Sequence, residues 1–104
     1  MAWIVLVVAG LLETVWALAL KESDGFSKLG PSVLFGVSVV ASMVLLAFAL
    51  RSLPVGTGYA VWTGIGAVGA ATAGMVFLGE AAVLNRILPI GLIAIGIVWL
   101  ALAE

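Results

Sequence analysis

The 104-residue chain is 65% hydrophobic and 9% charged, with four basic and five acidic residues and a formal net charge of -1. A water-facing surface needs roughly a quarter to a third charged side chains, and disorder needs low hydrophobicity with high net charge, so neither a soluble domain nor a disordered chain fits. Cysteine and histidine are both absent, which removes disulfides, thiolate chemistry and nearly every zinc, haem or triad arrangement. No basic patch is present for nucleic acid, and no cofactor or metal is expected.

The charges divide the chain into four apolar spans. Residues 2–20 carry one charge, Glu13, and residues 32–50, 55–78 and 87–103 carry none. Each span falls near the 20 apolar residues or so that a membrane helix needs, and none shows the alternation of a membrane strand. The sequence therefore predicts one all-α membrane domain of four transmembrane helices over residues 1–104, in contact with lipid along its length. The links between spans are too short for a folded domain and force antiparallel neighbours, an up-down-up-down bundle. Pro31 and Pro54 are expected just before helices, and Pro89 in the first turn of the fourth.

In the first span, Ala17-Leu18-Ala19 has the small residues of a signal-peptide cleavage site. No basic residue precedes the apolar run and an acid interrupts it, so it reads as a retained helix. Glu13 lies two residues from the middle of that span, about 3 Å along the helix axis. An acid at that depth is costly and marks a functional site. A carboxyl there can exchange a proton or hold a cation, but not both at once. No lysine or arginine within any span could neutralise it.

Trp16 follows Glu13 by one helical turn, beside the small residues Ala9, Gly10 and Ala17. In the second span, Ser38 and Ser42 share a face; Ser38 reads as structural, while Ser42 can bond its own backbone or face a site. In the third, Tyr59, Trp62, Thr63 and Gly66 share a face. A carboxylate, hydroxyls and three aromatic rings suit an organic cation, through charge-assisted hydrogen bonds and cation–π attraction. Trp3 and Trp99 sit near span ends as interfacial residues, and Lys21, Lys28, Arg51, Glu80 and Arg86 border the spans as solvated anchors.

Gly64-Ile65-Gly66-Ala67-Val68-Gly69 has the dinucleotide spacing GxGxxG, but no strand precedes it inside this apolar run. Gly64 and Gly66 are better read as a hinge, and Gly66, Ala70 and Gly74 as a small-residue ridge. In the fourth span, Gly91 and Gly96 flank an aliphatic run, a dimer-packing surface. Lys21, Lys28 and Arg86 fall on one side of the membrane, with Arg51 and the N-terminal amine on the other. That bias, mildly favouring cytoplasmic first and third loops, is weak enough for insertion both ways. Opposed copies could then pair into an inverted repeat.

The lone acid in Ala9-Gly10-Leu11-Leu12-Glu13, and Gly25-Phe26-Ser27-Lys28-Leu29 followed by Pro31-Ser32, resemble the small multidrug resistance family over essentially the whole chain. The run from Leu53-Pro54-Val55-Gly56 through Tyr59-Ala60-Val61-Trp62-Thr63-Gly64-Ile65-Gly66, with Glu13-Thr14-Val15-Trp16-Ala17, is similar to its guanidinium-exporter subtype. Gly58 stands where alanine is usual, and Trp99-Leu100-Ala101 where that subtype often ends in glycine-leucine-lysine. The resemblance implies an antiparallel, dual-topology homodimer in a bacterial plasma membrane, a transporter rather than an enzyme, exchanging protons for guanidinium. It places both Glu13 copies in a shared site with Trp16, Ser42, Tyr59 and Trp62, hinging at the third-helix glycines and dimer contacts through the fourth helix. The alternatives are an exporter of bulkier quaternary ammonium or aromatic cations, a non-transporting membrane subunit, and a passive channel.

Overall fold

In a computed structural model, which describes residues 1–103, the elements are α1 (Ala2–Glu22), α2 (Leu29–Ala49), α3 (Val55–Phe77) and α4 (Leu84–Ala103). All four helices are long and apolar enough to cross a membrane. Lipid offers the backbone no hydrogen bonds, so an apolar chain must satisfy its N–H and C=O groups internally, and a helix does so within one segment. That constraint outweighs propensity in α3, which stays helical through six glycines.

The helix starts shift the prolines. Pro54 caps α3 as expected. α2 begins at Leu29, so Pro31 lies inside its first turn instead of ahead of it, where its missing N–H still has no intrahelical role. α4 begins at Leu84, which makes Pro89 its sixth residue, past the first turn where the sequence placed it. There it removes the ladder bond to the Asn85 carbonyl.

The first link is knitted by Ser23, which is fully buried. Its hydroxyl donates to the Leu20 carbonyl at 2.7 Å and accepts the Phe26 N–H at 3.1 Å. Its carbonyl takes the N–H groups of Ser27 and Lys28 at 2.9 and 3.1 Å. These bonds hold Asp24, Gly25 and Phe26 in left-handed conformation at φ 49°, 69° and 67°, a region costly for the two that are not glycine. At the end of α3, Gly79 turns the chain with φ 70°. Glu80 and Arg86, expected as solvated anchors, pair with each other at 2.8 Å, both partly exposed.

α1 is the centre of the fold, packed along both α2 and α3. α2 and α3 scarcely meet, and α4 leans on α3 alone. The core is Leu6, Ala9, Leu46, Ala49, Val61 and Trp62. α4 buries none of its residues. The bundle is accordingly flat, with extents of 40 × 34 × 17 Å, and Glu13 lies where α1 meets α3.

Candidate functional site

Glu13 is only 8% exposed despite sitting in the middle of an apolar helix. The reason is a glycine. A Cβ built at Gly66 of α3 would fall on the Glu13 carboxylate, so α3 accommodates the acid only where it has no side chain. Gly10, three residues earlier on α1, lets Ile65 come equally close: a Cβ there would lie 2.7 Å from the Ile65 Cγ2. Two glycines, one on each helix, thus bring α1 and α3 together around the carboxyl.

One turn from Glu13 the three inner helices are tied by a short relay. The Ser42 hydroxyl of α2 donates to the Ala9 carbonyl of α1 at 2.7 Å, not to its own helix. The same hydroxyl accepts the Trp62 indole N–H of α3 at 3.0 Å. Ser42 and Trp62 are both buried. Ser38 behaves differently and bonds back to the Leu34 carbonyl at 2.6 Å, the structural part expected of it. Tyr59 stands at the open side of this relay, 55% exposed, its ring 5.4 Å from that of Trp62.

Trp16 is not part of that cluster. Its ring packs edge-on against Phe35 of α2, centroids 5.8 Å apart and planes at 86°. Its Nε1 is buried without a hydrogen-bond partner. Thr14 Oγ1, also buried and unpartnered, rests against Gly69 of α3. The other expected glycines divide. Gly64 receives Ile97 of α4, 2.6 Å from a Cβ built there, while α3 runs unbroken through Gly64 and Gly66. Gly91 and Gly96 face open space on the exposed α4.

Three participants were not singled out by sequence reasoning: the Ala9 carbonyl, Gly69 and Phe35. The carbonyl leaves no trace in residue type. Phe35 does leave one, since it precedes Ser38 by three and Ser42 by seven residues and so shares their helix face.

A carboxyl seated against a bare backbone, beside fixed hydroxyl and indole groups and an open aromatic ring, can hold a proton or a small cation. The family model described as Small Multidrug Resistance protein matches residues 1–93. The chain belongs to that family. It is 62% identical over 104 residues, covering all of both chains, to the guanidinium exporter of Yersinia pseudotuberculosis. To the guanidinium exporter of Escherichia coli K12 it is 58% identical over 103 residues, 99% of this chain and 98% of the relative. The guanidinium exporter of Salmonella typhimurium is 55% identical over the same shares. Four membrane-crossing helices in a family with bacterial members make this a multi-pass integral protein of the bacterial plasma membrane.

Proposed function

We propose that this chain exports guanidinium and small guanidinyl cations in exchange for protons, as a secondary active transporter working as an antiparallel homodimer. The observation that carries this reading is Glu13, buried at mid-membrane against Gly66 and one turn from the Ser42–Trp62 relay. Its relatives' printed function gives the cation class.

Protons and substrate compete for Glu13. Without substrate, the two carboxyls of the dimer hold protons, and their titration belongs to the pair. A planar guanidinium displaces them and is held through forked N–H donors, with Trp16, Tyr59 and Trp62 supplying aromatic faces worth about 0.5 to 2 kcal/mol each. Ser42 anchors Trp62 and so keeps its ring turned to the cation. The protomers then exchange conformations by bending at Gly64 and Gly66, and protons entering on the other side drive release. The exposed α4, with Gly91 and Gly96 open to approach, supplies the dimer surface.

The test is proton movement in liposomes holding the purified protein under an outward guanidinium gradient, then a tetraalkylammonium gradient. Guanidinium has hydrogen-bond donors and a tetraalkylammonium has none. Proton uptake with guanidinium alone, absent in Glu13→Gln, is the expected result. Movement with both cations would replace the selective exporter with a broad one, and movement with neither would leave a non-transporting subunit.

A further inference from the structure

We infer that Phe35, backed by Phe26, is a positioning residue that fixes the Trp16 indole and thereby sets which cations the site accepts. The inference rests on the proposed site of Glu13 and Trp16. Phe35 itself is not required to touch the cation.

The argument starts from what does not hold Trp16. Its indole N–H is buried with no acceptor, so no hydrogen bond sets the ring's rotation. What does hold the ring is the edge-on contact with Phe35, at 5.8 Å and 86°. Edge-to-face pairing sets the positive rim of one ring on the negative face of the other, which fixes both position and tilt. Phe35 is restrained in turn by Phe26, whose ring meets it at 5.4 Å and 64°.

The Phe26 ring is 57% exposed, but its backbone is held in place. Its backbone is left-handed at φ 67°, and its N–H is bound to the buried Ser23 hydroxyl, which also donates to the Leu20 carbonyl at the end of α1. The contacts form a closed circuit: α1 to Ser23, to Phe26, to Phe35 on α2, and back to Trp16 on α1. The first loop therefore reaches the site through packed rings. A strained, non-glycine conformation kept by dedicated hydrogen bonds is a feature that marks function.

The consequence is selectivity. A fixed indole presents one flat face at one depth, which suits a planar cation lying parallel to it. An indole free to tilt loses that alignment and leaves room for bulk. Cation–π attraction depends on the cation standing over the ring face, so small planar substrates lose most when the ring is released.

The experiment compares wild type, Phe35→Leu, Phe35→Tyr and Phe26→Leu in liposomes, using guanidinium and phenylguanidinium as substrates. Phe35→Leu should raise KM for guanidinium by about three- to tenfold with maximal rate unchanged, and move KM for phenylguanidinium much less. Phe35→Tyr keeps the ring edge and should restore wild-type values. In parallel, the indole N–H resonances of 15N-tryptophan protein are recorded, that of Trp16 identified by its loss in Trp16→Phe and that of Trp62 by its loss in Trp62→Phe. Phe35→Leu and Phe26→Leu should both move the Trp16 signal and leave the Trp62 signal in place.

An unmoved Trp16 signal would overturn the positioning role. So would a Phe35→Tyr protein as impaired as Phe35→Leu, or a Trp62 signal displaced together with that of Trp16, since either means general damage. Equal KM changes for the two cations would overturn the selectivity. A wild type that exchanges neither cation would instead overturn the proposed function and the selectivity with it, and the resonance shifts alone would then decide the positioning role.

Discussion

At the scale of single residues, the site depends on what α3 lacks opposite Glu13. Gly66→Ala puts a methyl where the carboxylate sits, so the Glu13 side chain must turn out of its place. Overpacking of that kind costs about 1 to 3 kcal/mol. The expected outcome is a protein still extractable in detergent but with guanidinium exchange reduced at least tenfold, measured as proton flux in liposomes. Ser42→Ala removes a hydroxyl that serves two helices at once and leaves the Trp62 indole N–H unpaired in the core. Interhelical hydrogen bonds in membranes contribute about 0.6 to 2 kcal/mol, so the loss should appear as a weaker substrate affinity with little change in stability. A competition between proton and cation also fixes the sign of pH dependence. Under the proposed competition, apparent guanidinium affinity falls as pH falls, by roughly tenfold per unit for each proton displaced, and levels off at high pH. Isothermal titration across a pH series reads this directly, and affinity that rose on acidification would exclude the competition.

At the scale of helices, legibility in the sequence tracked how strongly lipid constrains the chain. The existence of α1 to α4 could be read from uninterrupted apolar runs, because in a bilayer such a run has few other options. Their starts could not, since Leu29 and Gly30 or Leu84 and Asn85 carry no signal that outweighs Pro31 or Pro89. Glu13 was conspicuous for its cost in lipid. Gly66 was visible as a hinge and as a neighbour of Tyr59, Trp62 and Thr63 on one helix face, but its pairing with Glu13 is a matter of helix register that one sequence does not encode openly. Ser42 had two readings open to it, and packing of α2 on α1 decides for the Ala9 carbonyl. Phe35 shares the helix face of Ser38 and Ser42, but its contact with Trp16 depends on how α2 packs on α1. The helix scale carries its own prediction at the α3–α4 contact. Gly64→Leu would collide with Ile97 and should push α4 off α3, lowering recovery of the proposed dimer while leaving α1 to α3 folded. Crosslinking yield in the membrane measures it.

At the scale of the whole molecule, the flat shape and the unburied α4 are two aspects of one fact: the core is confined to α1, α2 and α3. In lipid an exposed apolar helix carries no hydrophobic penalty, so exposure alone would not demand a partner. The weak distribution of charge adds the second half, because Lys21, Lys28 and Arg86 oppose Arg51 without a decisive excess. If function needs both orientations in one dimer, forcing either orientation should abolish it, and restoring the mixture should bring it back. Lys21→Ser with Lys28→Ser shifts the bias so that the second loop faces the cytoplasm, and Arg51→Ser shifts it the other way. Neither change touches Glu13, Trp16, Ser42 or Trp62. Each variant alone should lose guanidinium resistance in cells, and the two expressed together should regain most of it. Reporter fusions at the C-terminus would verify that each variant is inserted one way. Full activity of a verified single-orientation variant would exclude the antiparallel dimer while leaving the proton and cation site at Glu13 intact, so the two parts of the proposed mechanism can fail separately.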